Sequence, residues 1–133
     1  MSLARTLTAA ALGLALIGTT VPALAAPADK PTFGLIGSMT AKPGQRDALI
    51  AAIAGGSQDM PGCYSYVIAA DAANPDLIWI TEVWDSKASH DASLKLPAVQ
   101  AAITVARPLI AGMGTQTVTA PIAGGGPRWA KKP

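Results

Sequence analysis

The chain has 133 residues, half of them hydrophobic, and its ten Lys and Arg residues nearly balance eight Asp and Glu residues. These charges are scattered rather than grouped in blocks, which argues against nucleic acid or an anionic membrane surface as a partner. One histidine, one cysteine and dispersed carboxylates provide none of the ligand spacings of a zinc or iron site, so no metal is expected.

The N-terminal segment, residues 1–25, has the pattern of a secretory signal peptide. Arg5 supplies a positive charge, Ala9 to Ile17 is apolar, and Ala23-Leu24-Ala25 is an A-x-A cleavage signal. The apolar run is too short to span a bilayer, so no stable membrane anchor is expected after cleavage near Ala25. The sequence therefore predicts a secreted or periplasmic protein in which residues 26–32 form a short linker.

The mature chain opens with a strand and an amphipathic helix. Phe33 to Thr40 has strand composition and leads into a turn at Lys42-Pro43-Gly44. From Gln45 to about Ala54 the apolar residues recur at helical spacing, and Gly55-Gly56 is expected to end this helix.

Two further strands are predicted as a hairpin, Cys63 to Ala70 and Leu77 to Trp84, joined by a connection that contains Asn74-Pro75. The sole cysteine is interpreted as a small buried strand residue rather than a reactive thiol. Because side chains alternate along a strand, Trp79 and Trp84 lie on opposite faces. The helices of so short a chain can cover only one face of the sheet, so the face that carries Trp79 predicts a homodimer.

The last elements are two helical segments and a strand. Asp85 or Ser86 is expected to cap a helix that carries His90, the only histidine. After a break at Leu94 to Pro97, a longer helix is predicted, which Pro108 kinks or shortens. The glycines Gly112 and Gly114 are expected to end that helix. Residues 115–122 then form the fourth strand, and residues 123–133 form a flexible tail.

The order strand, helix, strand, strand, helix, strand is typical of an α+β, ferredoxin-like βαββαβ fold with a four-stranded antiparallel sheet. Four motifs, in this order, resemble the antibiotic biosynthesis monooxygenase (ABM) family: Lys42-Pro43-Gly44-Gln45-Arg46, Met60-Pro61-Gly62-Cys63, Glu82-Val83-Trp84, and His90 on the next helix. The resemblance covers Phe33 to Thr119 and predicts an ABM-like domain at residues 33–122. It implies a dimeric α+β barrel, in which the sheets of a homodimer face each other and each subunit has a small cavity between sheet and helices.

The resemblance also implies an activity, that of a cofactor-independent monooxygenase that oxidises a quinol-like or phenolic aromatic with O2. In oxygenases of the family, a tryptophan at the strand end matches Trp84, and a polar aromatic residue six positions later matches His90. Ile80 stands where some of these oxygenases have asparagine. The first strand lacks the asparagine of haem-degrading relatives, which disfavours haem chemistry.

The residues themselves allow a matching mechanism. A phenol that loses its proton becomes an electron-rich anion, which can reduce O2 in a water-poor pocket. An imidazole ordinarily titrates near neutral pH, so His90 is the candidate base, and Trp84 is the candidate stacking wall for a planar ring. These two are the predicted catalytic residues. The predicted substrate-binding residues are one tyrosine that could reach a substrate oxygen and three apolar residues that keep the pocket dry: Tyr66, Ile80, Val99 and Ile103.

Structural interpretations of the same residues stay open. His90 could be a hydrogen-bonded structural residue, and Trp84 could be ordinary core packing. Glu82 shares a strand face with apolar neighbours and is expected to pair with a lysine or arginine near the strand end. The alternative function is a non-catalytic, small-ligand-binding or stress-related dimeric barrel protein. Ile80 favours this alternative, whereas the presence of both Trp84 and His90 favours the enzyme.

Overall fold

A computed structural model describes residues 30–124 of the chain, so the predicted signal peptide and the glycine-rich tail from residue 125 onward lie outside the described residues. The elements in chain order are β1 (Phe33–Ala41), α1 (Arg46–Gly56), β2 (Cys63–Ala70), β3 (Leu77–Trp84), α2 (Lys87–Ser93), α3 (Pro97–Ala106), a short 3-10 turn (Arg107–Leu109) and β4 (Ile110–Thr119). Between residues 30 and 124, none of the helices has the length and apolar character needed to cross a membrane.

The four strands form one antiparallel sheet in the order β2-β3-β1-β4. The α+β, ferredoxin-like fold predicted from the sequence is confirmed, with the second helical segment divided into α2 and α3. Ser86 caps α2, because its hydroxyl accepts a hydrogen bond of 3.1 Å from the backbone N–H of Ser89.

The core lies between the sheet and the helices, on one face of the sheet. It consists of two clusters, one around Trp84 and Phe33 and the other around Leu49 and Ile78. Trp79 projects from the opposite face and is 37% exposed, whereas Trp84 is 1% exposed. The predicted placement of the two tryptophans on opposite faces of β3 is therefore confirmed.

The C-terminal strand differs from its prediction. It begins at Ile110 instead of Thr115 and runs through Gly112 and Gly114, which therefore do not end a helix. Pro108 lies in the 3-10 turn after Ala106, the last residue of α3, because proline lacks the N–H that a longer helix requires. A Cβ atom at position 114 would collide with the Ser38 hydroxyl, so this glycine permits the close approach of β4 to β1.

A turn at Gly62, immediately before β2, packs against Ser89 of α2. Gly62 has a φ of +82°, and a Cβ atom there would lie 2.6 Å from Ser89 Cβ and 2.7 Å from Asp85 Oδ1. We expect Gly62→Ala to lower the free energy of unfolding by about 1–3 kcal/mol, because both the backbone angle and the space exclude a side chain. Urea denaturation measures this loss.

Gly55, in α1, provides the matched control for this substitution. A Cβ atom there would meet nothing within 4 Å, and alanine is a better helix former than glycine. Gly55→Ala should therefore raise the free energy of unfolding by about 0.5–1 kcal/mol. A Gly62→Ala protein as stable as the native chain would contradict the described turn.

Candidate active site

A cavity of about 270 Å³ lies between the sheet and the helices. The four predicted substrate-binding residues, Tyr66, Ile80, Val99 and Ile103, all belong to its wall. Ile80 reaches the cavity because it lies on the buried face of β3. Val99 and Ile103 are four positions apart on α3, so they share one helical face. The structure therefore brings these four side chains to one space.

Helices α1 and α3 pack closely beside this cavity because the residue at their contact, Gly56, has no side chain. A Cβ atom on Gly56, the last residue of α1, would overlap Ala102 Cβ and lie 3.0 Å from the carbonyl oxygen of Ala98 in α3. The close contact of α1 with α3 thus depends on glycine at position 56. Both Gly56 and Ala102 contribute to the cavity wall.

Three residues of the wall are polar: Ser57, Tyr66 and Arg107. Arg107 was not among the residues expected from the sequence, although a signal was present. It continues the four-residue spacing of Val99 and Ile103, which places it on the same side of the helical segment. A search for apolar residues at helical spacing does not include an arginine, so the apolar stripe alone does not predict Arg107 in the wall.

Trp84 and His90 are close to each other but are not part of the cavity wall. Trp84 packs in a buried cluster with Phe33, Met60 and Cys63. The imidazole of His90 meets the Trp84 ring edge-on at a centroid distance of 5.5 Å and the Phe33 ring at 5.2 Å. Neither residue lines the cavity, so neither is positioned to touch a molecule bound there directly. The catalytic roles of Trp84 and His90 therefore stay predictions.

The carboxyl group of Glu82 contacts both Trp84 and His90. Its Oε2 atom accepts a hydrogen bond of 2.8 Å from Trp84 Nε1 and lies 3.7 Å from His90 Nε2. The other imidazole nitrogen, Nδ1, lies 3.1 Å from Asp91 Oδ1. The expectation that Glu82 pairs with a lysine or arginine is therefore wrong, because the first turns of α2 bring the histidine over the end of β3.

Burial raises the pKa of Glu82 above its usual range, while the hydrogen bond from Trp84 and the nearby His90 act in the opposite direction. On the adjacent strand, Tyr66 is the pairing partner of Glu82. Burial, and then the charge of Glu82, raise the pKa of the Tyr66 phenol. The phenol therefore stays protonated at neutral pH, and Tyr66 is part of the cavity wall.

The raised pKa of Glu82 predicts a pH-dependent stability. The neutral carboxyl favours the folded state, so its contribution is complete below the unfolded pKa of about 4.5 and is lost as the pH rises through the folded pKa. Each pKa unit of upward shift corresponds to about 1.4 kcal/mol. Glu82→Gln keeps an oxygen acceptor for Trp84 but stays neutral, so this variant should lack that loss.

Urea denaturation of the native chain and of Glu82→Gln between pH 4 and 8 measures the effect. Asp59→Asn, at an exposed carboxylate, is the control for a general change in net charge. A difference between native and Glu82→Gln stabilities that does not change with pH would contradict the described environment of Glu82.

Comparison with known proteins places this architecture in a family. The sequence profile of the family described as antibiotic biosynthesis monooxygenase (ABM) matches residues 32–105. A Chloroflexus aurantiacus J-10-fl protein, provisionally named an antibiotic biosynthesis monooxygenase, has a similar crystal structure with a TM-score of 0.70. It is 59% identical over 71% of this chain and 97% of its own.

More distant structures share the fold alone. A Shewanella oneidensis protein is 22% identical over 68% of this chain and 91% of its own, with a TM-score of 0.61. A Pseudomonas aeruginosa protein is 18% identical over 71% of this chain and 97% of its own, with a TM-score of 0.62. No curated protein matches this chain. The family profile, together with the relative from Chloroflexus, shows that the chain belongs to the antibiotic biosynthesis monooxygenase family.

Proposed function

We propose that this chain is a cofactor-independent monooxygenase that oxidises a quinol-like or phenolic aromatic with O2. The observation that carries the proposal is the largely apolar cavity with the protonated Tyr66 phenol in its wall. Sites for small molecules commonly combine an apolar wall with a few polar groups that orient the ligand. An apolar cavity of about 150 Å³ holds benzene, so about 270 Å³ has room for about two fused rings.

The proposed reaction needs no external reductant. The phenol gives up its O–H proton, and the resulting anion transfers one electron to O2. The two radicals then combine to form a carbon–oxygen bond, and one oxygen atom leaves as water, so that a phenol and O2 yield a quinone and water. An apolar wall favours these reaction steps because it excludes water from the radical pair.

Proton removal is the step that involves polar side chains. In the proposed reaction, the phenol of Tyr66, a residue of the cavity wall, donates a hydrogen bond to the substrate oxygen. His90 remains the predicted base, and its connection to the cavity runs through Glu82, the strand neighbour of Tyr66. General acid–base catalysis typically contributes a factor of about 10²–10⁴ to a rate.

Oxygen consumption with a panel of hydroquinones and anthrones tests the proposal. We expect substrate-dependent O2 uptake by the native chain and a decrease of about 10²-fold or more for His90→Ala. No uptake above background for any substrate, with ligand binding intact, would overturn the enzyme. Equal turnover by His90→Ala would keep the enzyme and remove His90 as the base.

A second candidate function is non-catalytic binding of a small apolar ligand in the same cavity. The position of Trp84 and His90 outside the cavity wall favours it. Ligand binding without O2 consumption would support this function.

We also propose that the protein acts as an exported homodimer. On the sheet face away from the helices, Ile36, Val67 and Trp79 are 41%, 52% and 37% exposed. Nearly all of β4 is exposed as well. A second copy would remove this apolar surface from water, as the face-to-face sheets of a dimeric α+β barrel do.

N-terminal sequencing of exported protein should give Ala26 as the first residue if the signal peptide is cleaved as predicted.

A further inference from the structure

The charge in the cavity wall points to the class of ligand. Arg107 is the only charged residue among those that line the cavity, and most of the others are apolar. Arg107 follows Val99 and Ile103 at the same four-residue spacing, and the residue is exposed, so it lies where the cavity wall meets the surface. A cation in an otherwise apolar wall is a specific polar group of the kind that orients a ligand.

Arg107 has no acidic partner within ion-pair distance in the described part of the chain. Between residues 30 and 124, the basic side chains that lie within ion-pair distance of a carboxylate are Arg46, Lys87 and His90. Arg46 also donates to the carbonyl oxygen of Asp71. Within residues 30–124, a ligand carboxylate would therefore not have to displace an acidic side chain from Arg107.

Tyr66 and Arg107 lie beside different core clusters along the cavity wall. Tyr66 packs on the core cluster that contains Met60, whereas Arg107 follows Ala106 in the cluster that includes Ile110. All of these residues line the cavity. A ligand that satisfies both polar groups has an oxygen at one end, an apolar body, and an anionic group at the other end.

We propose that the cavity binds phenolic aromatics that carry a carboxylate, with the carboxylate paired to Arg107 and the phenol oxygen at Tyr66. A planar guanidinium pairs with a carboxylate through two parallel hydrogen bonds, which gives both energy and orientation. This inference rests on the proposed function for the identity of the phenol end, but the charge preference of the cavity is measurable without any reaction.

Binding of two probes tests the proposal: 6-hydroxy-2-naphthoic acid, which has both groups, and 2-naphthol, which lacks the carboxylate. Titration calorimetry without O2 prevents turnover. We expect the native chain to bind the acid at least about tenfold more tightly than the neutral probe. Arg107→Gln should abolish this preference, so that the two probes bind with similar affinity, and Arg107→Lys should retain part of it. Higher salt should reduce the preference of the native chain.

Arg46→Gln is the control, because it removes a cation outside the cavity wall, and it should keep the full preference. Tyr66→Phe should weaken both probes equally, since both have the hydroxyl. Equal affinity of the native chain for the two probes, an undiminished preference in Arg107→Gln, or binding of neither probe at millimolar concentration would overturn the proposal.

The two proposals fail separately. A carboxylate preference that depends on Arg107, in a protein that consumes no O2 with any phenol, would retain the ligand class and remove the monooxygenase. Consumption of O2 with neutral phenols, with equal affinity for the probes with and without a carboxylate, would retain the monooxygenase and remove the ligand class.

Discussion

Replacement of Trp84 with alanine is expected to lower the free energy of unfolding by about 3–5 kcal/mol. The indole is 1% exposed and packs among Phe33, Leu35, Met60 and Cys63. Its removal creates a cavity in this cluster and also deprives the Glu82 carboxyl of its hydrogen-bond donor. Urea denaturation followed by far-UV circular dichroism measures the loss without depending on tryptophan fluorescence.

Trp84→Phe separates the two contributions. Phenylalanine keeps most of the buried ring but lacks the Nε1–H group, so this variant should lose only about 1–3 kcal/mol. A loss below about 1 kcal/mol for Trp84→Ala would contradict the buried position. If Trp84 contacts the substrate as predicted from the sequence, Trp84→Phe should in addition raise the KM of the proposed reaction.

Replacement of Val67 with lysine is expected to convert the proposed homodimer to monomers. Val67 is 52% exposed on the outer face of β2, so the lysine is solvated in a single chain. In a face-to-face dimer, two-fold symmetry would place one such lysine from each subunit in the interface. Burial of two like charges there is strongly unfavourable. We expect the dimer dissociation constant to rise at least about 100-fold. Light scattering across micromolar concentrations measures it.

Val105→Lys is the matched control, since Val105 is 58% exposed on α3 and does not belong to the sheet. This variant should dimerise like the native chain. A native chain that is monomeric at micromolar concentration would remove the homodimer, and a dimeric Val67→Lys would place the interface elsewhere.

The central hairpin shows how much of the fold was predictable. The bounds predicted for β2 and β3, Cys63 to Ala70 and Leu77 to Trp84, are those observed. Side-chain alternation and the flanking turn residues are local signals, and burial of one face enforces them. For α1 the prediction ended near Ala54, whereas the helix continues to Gly56 because this glycine packs on α3.

β4 was misplaced because its signals are not local. Most of its residues are exposed, so the strand lacks the apolar alternation that marks β2 and β3. Gly112 and Gly114 are typical of a helix end, yet Gly112 pairs with Thr40 of β1 and both glycines lie within β4. A contact between residues far apart in sequence outweighed the local preference here.

The sequence alone determined which face of β2, β3 and α3 is buried, and with the cavity that the family resemblance implied, this predicted the four residues Tyr66, Ile80, Val99 and Ile103 in the cavity wall. Only the tertiary structure decided the partners of polar groups. Glu82 meets Trp84 and His90 instead of a lysine or arginine, and Arg107, in the cavity wall, has no acidic partner within residues 30–124. Burial follows from periodicity within one element, whereas a polar contact depends on the position and direction of two elements at once.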